Sequence, residues 1–176
     1  MTAKKDLRYT TLFDEAKIRA RIKELGAQIT KDYHGEAVVV VGVLKGAFIF
    51  LADLVRAIDL PVTVEFIGVA SYAGTKSTGH VRLTHDLSAD VKGKHVLLVE
   101  DIIDTGHTID YLLEVLKVRE PQSLKVATFL SKPDAHEMKH TLDYVGFEIT
   151  REFVIGYGLD LDQYYRNLPF VGQVQS

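Results

Sequence analysis

The stretch Val96-Leu97-Leu98-Val99-Glu100-Asp101-Ile102-Ile103-Asp104-Thr105-Gly106-His107-Thr108 says more about fold and chemistry than any other part of the chain. Its opening residues, 96–99, are uniformly apolar with no polar alternation, which predicts a strand covered on both faces, the habit of parallel sheets. The carboxylates Glu100, Asp101 and Asp104 follow at the strand's C-terminal end. A small hydroxylated turn then opens a helix, marked by Ile109, Leu112, Leu113 and Leu116 at helical spacing. Gly106 permits a tight turn, the N–H groups of a helix start carry partial positive charge, and Thr105 and Thr108 add hydroxyl donors. Together these suit a phosphate group. Glu100 and Asp101 can accept hydrogen bonds from vicinal hydroxyls or hold a hydrated Mg²⁺, and both uses fit a phosphosugar. The plainer alternative is a capped helix with Asp104 or Thr105 as N-cap. Against it, carboxylates crowded at one strand end repel one another unless a cation or donors compensate.

Outward from this stretch the chain alternates helix and strand signals. Residues 14–26 place Ile18, Ile22 and Leu25 at i, i+4 and i+7 among charged residues, an amphipathic helix. Residues 37–44 are a β-branched apolar run ending in Lys45-Gly46, again a strand with both faces covered. Residues 47–58 predict a buried helix stopped ahead of Pro61, and residues 62–70 a further strand. Residues 71–79 have no apolar period and contain Gly74 and Gly79, which predicts a mobile loop, with a short strand at 81–83 beyond it. The helix after the central stretch stops before Pro121, and residues 125–130, 143–149 and 153–155 are further strand candidates. This alternation predicts an α/β fold with a mostly parallel central sheet flanked by helices, and a binding site beyond the strand C-termini. No repeat or break in composition divides the 176 residues, so a single domain, 1–176, with a small accessory flap is expected.

Composition excludes several classes. Apolar runs such as 37–41 and 47–52 are far too short to span a bilayer, and the start of the chain lacks the apolar core of a secretory signal. A cytoplasmic protein with no membrane partner is expected. With 21 basic against 24 acidic residues the net charge is −3, which argues against a general nucleic-acid binder. The absence of cysteine excludes disulfides, a thiolate nucleophile and cysteine-bound zinc.

In its order of residues, the 96–108 stretch resembles the phosphoribosyl-diphosphate (PRPP) signature of the type I phosphoribosyltransferases. The form Val99-Glu100-Asp101-Ile102-Ile103-Asp104-Thr105-Gly106 is similar to that of the hypoxanthine-guanine phosphoribosyltransferases. Leu44-Lys45-Gly46, Ser71-Tyr72, Lys132-Pro133 and Gly146-Phe147-Glu148-Ile149 match in family order, as do the run from Phe153 to Asp160 and the pair Tyr165-Arg166. The likeness thus runs from the first helix to Val174. It implies the type I phosphoribosyltransferase fold with a small purine-binding hood built from the terminal segments and a mobile lid at about 71–79. It also implies Mg²⁺ as cofactor, PRPP and 6-oxopurine bases as substrates, and a homodimer or homotetramer.

Carried over residue by residue, the resemblance makes Asp104 the general base facing purine N7, with Glu100 and Asp101 on the ribose hydroxyls and Mg²⁺. Asp104, Thr105, Gly106, His107 and Thr108 would cradle the 5′-phosphate. Lys45 and Gly46 would form the pyrophosphate loop, in which the bond before the lysine can be cis, with Arg166 on the same pyrophosphate and Ser71 and Tyr72 opening the lid. Asp160 would bind a second Mg²⁺, Lys132 would donate to the 6-oxo group, and Phe153 would stack on the purine. The backbone of Val154 and Asp160 would read position 2 of the ring. This sequence departs from the family pattern at His107, at Asp134-Ala135-His136 and at Thr150.

Rival chemistries are weaker. His136-Glu137-Met138-Lys139-His140 fits the H-E-x-x-H zinc pattern, but no later residue offers itself as third ligand, and a charged connecting segment is the better reading. The rival from another class is a PRPP-sensing regulator on the same fold. Asp104, the Lys132 and Phe153 pair and the absence of an appended DNA-binding region favour an enzyme, a purine-salvage transferase of 5-phosphoribosyl groups.

Overall fold

A computed structural model describes residues 7–71 and 81–175. In chain order its elements are β1 (Tyr9–Phe13), α1 (Glu15–Asp32), β2 (Val38–Leu44), α2 (Phe48–Ala57), β3 (Val62–Ser71) and β4 (Val81–His85). They continue with β5 (His95–Ile103), α3 (His107–Lys117), β6 (Ser123–Ser131), β7 (Tyr144–Glu148), β8 (Val154–Ile155) and β9 (Val171–Val174). Six strands form the central sheet in the order β4-β3-β2-β5-β6-β7, parallel except for β4. A separate antiparallel sheet, β1-β9-β8, joins the two ends of the chain.

The uniformly apolar strands are explained by what covers them. Along β2 the pleat sends Val38 and Val40 into one cluster with Ile18, Ile22, Leu25 and Ile29 of α1 and Phe50 and Leu54 of α2. Val39, Val41 and Val43 point the other way, into a second cluster with Ile109, Leu112, Leu113 and Leu116 of α3. With both faces buried, a polar residue at any of these positions leaves water unpaired.

Several expected boundaries move, each for a packing reason. Helix α1 runs past residue 26 to Asp32, because Ile29 extends the buried stripe and is fully covered. Its start is capped by Asp14, whose Oδ1 accepts the Lys17 N–H at 2.8 Å. Strand β5 does not stop at Val99 but continues through the carboxylates to Ile103, since Ile102 and Ile103 pair with Leu130 and Ser131 of β6. Strand β4 extends to His85, pairing with Gly68. The strands β1 and β9 were not legible in the sequence. With β8 they form the small sheet, called the hood below. It is fastened to the main body by Phe13 stacked on Phe147 of β7, centroids 4.2 Å apart, and by Tyr157, whose hydroxyl donates to Asp53 of α2 at 2.6 Å. The expected lid, 71–79, falls outside the described residues apart from the backbone of Ser71 at the end of β3, and so does Tyr72. Among the described residues no helix is long and apolar enough to cross a membrane.

Candidate active site

Parallel strands bring their C-terminal ends to one edge of the sheet, so Leu44 of β2, Ile103 of β5 and Ser131 of β6 deliver their following loops to the same place. There β5 presents Glu100, which is 7% exposed, and Asp101. Burial pushes Glu100 well above the usual carboxylate range, and the negative charge of Asp101 pushes it further. Burial raises Asp101 as well, against the pull of hydrogen bonds from Glu100 and from the Ile102 N–H and of the Arg166 charge. Such a pair is poorly compensated by the protein's own groups.

The loop after β2 closes on this pair. Asp101 lies so near Gly46 that a Cβ on that residue would sit 1.6 Å from Asp101 Oδ2, so any side chain there must displace the carboxylate. The Leu44–Lys45 peptide is cis, as the resemblance allows. Lys45 Nζ lies 3.5 Å from Gln163 Oε1, and Arg166 reaches the same oxygen at 3.5 Å. Arg166 also donates to Gly158 O at 2.6 Å and pairs with Asp160 at 2.6 Å. Asp160 further accepts the Gln163 N–H at 2.8 Å, so its carboxylate is turned to Arg166 and to its own turn. Gln163, the link between Lys45 and Arg166, was missed by sequence reasoning. A glutamine in a polar turn carries no signal of its own.

The turn that opens α3 completes the cleft. Its N-cap is Gly106, in the left-handed region at φ 88°, with no side-chain cap bond; Asp104 and Thr105 do not cap the helix. A chain that must turn this sharply needs glycine, and the uncapped start leaves N–H groups for a ligand. A cleft of about 210 Å³ is lined by residues 100–106 with Thr108 and Ile109. His107 lies outside that lining; its ring contacts Thr105 Oγ1 at 3.3 Å and Glu137 at 3.2 Å.

On the far side of the turn, Lys132 Nζ lies 3.2 Å from Asp104 Oδ2. The lysine, which its sequence alone marks as a surface residue, is only 14% exposed, whereas the aspartate is 58% exposed. Lys132 is fixed by its N–H, which donates to Ile103 O at 2.9 Å. Phe153, at the threshold of β8, is 53% exposed, unlike the core residue its pattern suggests, while Val154 is buried and pairs with Gln173. Thus Glu100, Asp101, Asp104, Thr105, Gly106 and Thr108 converge on one cleft, Lys132 borders it, and Gly46 with Lys45 abuts Asp101.

The zinc pattern dissolves. Residues 136–140 are not helical, and their groups diverge: His136 to Ser131, Glu137 to His107 and His140 to Asp110. Among the described residues no three His, Cys, Asp or Glu side chains are placed to hold one metal ion together. A roomier groove of about 570 Å³ between α1, α2 and Tyr157 lies away from the carboxylates. Four of its charged groups are paired, Arg19 with Glu15 and Arg56 with Asp53.

Comparison with known proteins agrees with this geometry. The phosphoribosyl transferase domain family matches residues 8–162. The hypoxanthine phosphoribosyltransferase of Haemophilus influenzae is 52% identical over 167 residues, covering 93% of both chains. A hypoxanthine-guanine phosphoribosyltransferase structure from Bacillus anthracis superposes with a TM-score of 0.91 at 42% identity, over 97% of this chain and 100% of that one. A Trypanosoma cruzi hypoxanthine phosphoribosyl transferase, described for the role of its C-terminal region in oligomeric state and activity, superposes with a TM-score of 0.91 at 40% identity, over 99% and 95%. This chain belongs to the phosphoribosyl transferase domain family, among its hypoxanthine phosphoribosyltransferases.

Proposed function

We propose that this chain transfers the 5-phosphoribosyl group of PRPP to N9 of hypoxanthine or guanine, giving IMP or GMP and pyrophosphate. The observation that carries the reading is the meeting, at one cleft, of the carboxylates Glu100 and Asp101, both raised by burial, an uncapped helix start and Asp104 faced by the bordering Lys132. The helix start takes the 5′-phosphate, with Thr105 and Thr108 as donors. Lys45, Gly46 and Arg166 take the pyrophosphate.

The carboxylate pair fits Mg²⁺. Glu100 is buried and Asp101 half-buried, burial raises both and the charge of Asp101 raises Glu100 further, and Gly46 lies against Asp101; Mg²⁺ is commonly held by one or two carboxylates with water and substrate oxygens. Mg²⁺ held by Glu100 and Asp101 would supply positive charge against the departing pyrophosphate. Asp160 would hold a second ion only after releasing Arg166.

As the C1–oxygen bond breaks, the ribose becomes oxocarbenium-like, and a nearby carboxylate stabilises it. Asp104 suits that task and accepts the N7 proton, which makes N9 the better nucleophile. Without a base, Asp104 and Lys132 satisfy one another; a 6-oxopurine entering between them gives each a new partner, N7–H for the aspartate and the 6-oxo group for the lysine. Phe153 offers an exposed ring for stacking, and the backbone of Val154 and Asp160 reads position 2. We read the enzyme as a cytoplasmic homodimer or homotetramer.

The test is nucleotide formation from PRPP and Mg²⁺ with hypoxanthine, guanine, xanthine or adenine, and an EDTA control. Metal-dependent IMP or GMP without AMP is expected. PRPP binding with no nucleotide from any base would return the chain to the PRPP-sensing alternative. Asp104→Asn should retain PRPP affinity and lower kcat by at least about 10², and near-normal turnover would remove Asp104 from the base role.

A further inference from the structure

The connection between β6 and β7 is not a helix: a single 3₁₀ turn at Pro133–Ala135 gives way to irregular chain through residue 143. Its contacts fall, one after another, on the turn that opens α3. Glu137 N–H donates to Thr105 O at 2.9 Å. Met138 covers Gly106 so closely that a Cβ there would lie 1.8 Å from Met138 Cγ. Lys139 N–H and His140 Nδ1 reach the carboxylate of Asp110, in the first turn of α3, at 3.1 and 2.8 Å. Burial alone would raise Asp110, yet the bonds from His140 and Lys139 hold it below the usual carboxylate range. The ammonium of Lys117 faces His140 Nε2 and can only donate, so Nδ1 carries the ring proton given to Asp110.

The turn needs such support from outside. Its N-cap is a glycine in the left-handed region with no side-chain bond, the least constrained residue at the point where N–H groups must be aimed. We infer that Met138 and His140 are positioning residues: through Gly106 and Asp110 they hold residues 105–108 in the shape that receives a sugar phosphate, while Asp104 is held separately by Lys132. They therefore set affinity for the phosphosugar and leave the chemical step alone. The inference rests on the assignment of that turn to the 5′-phosphate made above.

The test compares His140→Ala, His140→Asn and Met138→Ala with the unmodified chain. The readouts are kcat, KM for PRPP, KM for hypoxanthine, and calorimetric affinity for ribose 5-phosphate as the phosphate probe. His140→Ala and Met138→Ala should raise KM for PRPP and Kd for ribose 5-phosphate about tenfold, with kcat and KM for hypoxanthine within about twofold. His140→Asn, whose amide N–H stands near the place of Nδ1, should recover most of the loss. Unchanged phosphate affinity in Met138→Ala and in whichever His140 variant folds overturns the inference. So does a parallel rise in both KM values with no recovery in His140→Asn, the pattern of mere packing damage. If the unmodified chain binds ribose 5-phosphate but forms no nucleotide, the proposed reaction fails while the affinity comparison still decides the inference. If it does not bind ribose 5-phosphate, both fall.

Discussion

Glu100 shows how a single residue can trade stability for a site. Its position was plain from the sequence, because carboxylates crowded after an apolar strand demand a reason. Its energetics were not, because they depend on burial by neighbours distant in the chain. Burial and Asp101 raise its carboxyl above the ordinary value of 4.5, so the folded state prefers the protonated form. For a raised group the sign is fixed: its stabilising contribution is full below the unfolded value and is lost as pH rises through the raised folded value. Glu100→Gln, which mimics the protonated form at all pH, should therefore raise Tm around pH 8 and leave it unchanged near pH 4, with about 2–4 °C for each kcal/mol relieved. Thermal unfolding of both chains across that range checks the claim, and a gain confined to low pH would contradict it. The same substitution should weaken Mg²⁺-dependent PRPP binding.

At the scale of elements, legibility follows the source of stability. Strands β2 and β5 and helices α1, α2 and α3 owe their form to dense apolar patterns that bury on both faces of the sheet, and each was readable without coordinates. Strands β1 and β9 owe theirs to pairing between the two ends of the chain, Tyr9 with Val174 and Thr10 with Gln173, and no local pattern announces a partner so far away. The N-cap of α3 is likewise settled by contacts outside the local sequence. Asp104 and Thr105 favour capping by propensity, but Asp104 is drawn to Lys132, and Gly106 makes the turn. Edge strand β7 illustrates a further nonlocal device: Arg21 of α1 donates from Nε to Gly146 O and from Nη2 to Val145 O, both at 2.8 Å. These bonds occupy carbonyls on a strand that has no neighbour beyond it among the described residues. Arg21→Ala should lower stability by about 1–3 kcal/mol, since partly buried carbonyls lose charged donors. Denaturant unfolding measures the loss, and kcat per folded molecule should be unchanged. A variant as stable as the original would show that water replaces the guanidinium at no cost.

At the scale of the whole molecule, the question is how a hood made from both chain ends stays in register with a sheet-edge site. The seven motifs that suggested the family mark the site's parts, yet their juxtaposition is a property of the fold. The closest join is Gly158, just beyond β8, against the pyrophosphate loop. Its φ is +100°, and a Cβ there would lie 2.1 Å from Gly46 O, while Gly46 itself abuts Asp101. Arg166 reinforces the join by donating to Gly158 O and accepting its N–H at 3.0 Å. A side chain at residue 158 must push the hood off the loop, and the displacement reaches the subsites proposed for both substrates. Gly158→Ala should therefore raise KM for PRPP and for the purine together, each by about tenfold or more, whereas the positioning variants of the β6–β7 connection affect PRPP alone. Backbone strain is a separate effect, and Gly35 separates it. Its φ is +87°, but nothing lies within 4 Å of the place a Cβ would take. Gly35→Ala should cost about 1–2 kcal/mol of stability from the left-handed conformation and leave both KM values unchanged. If the two alanine variants lose stability equally and neither moves a KM, contact between the two sheets does not align the site, and the hood finds its register by the substrate instead.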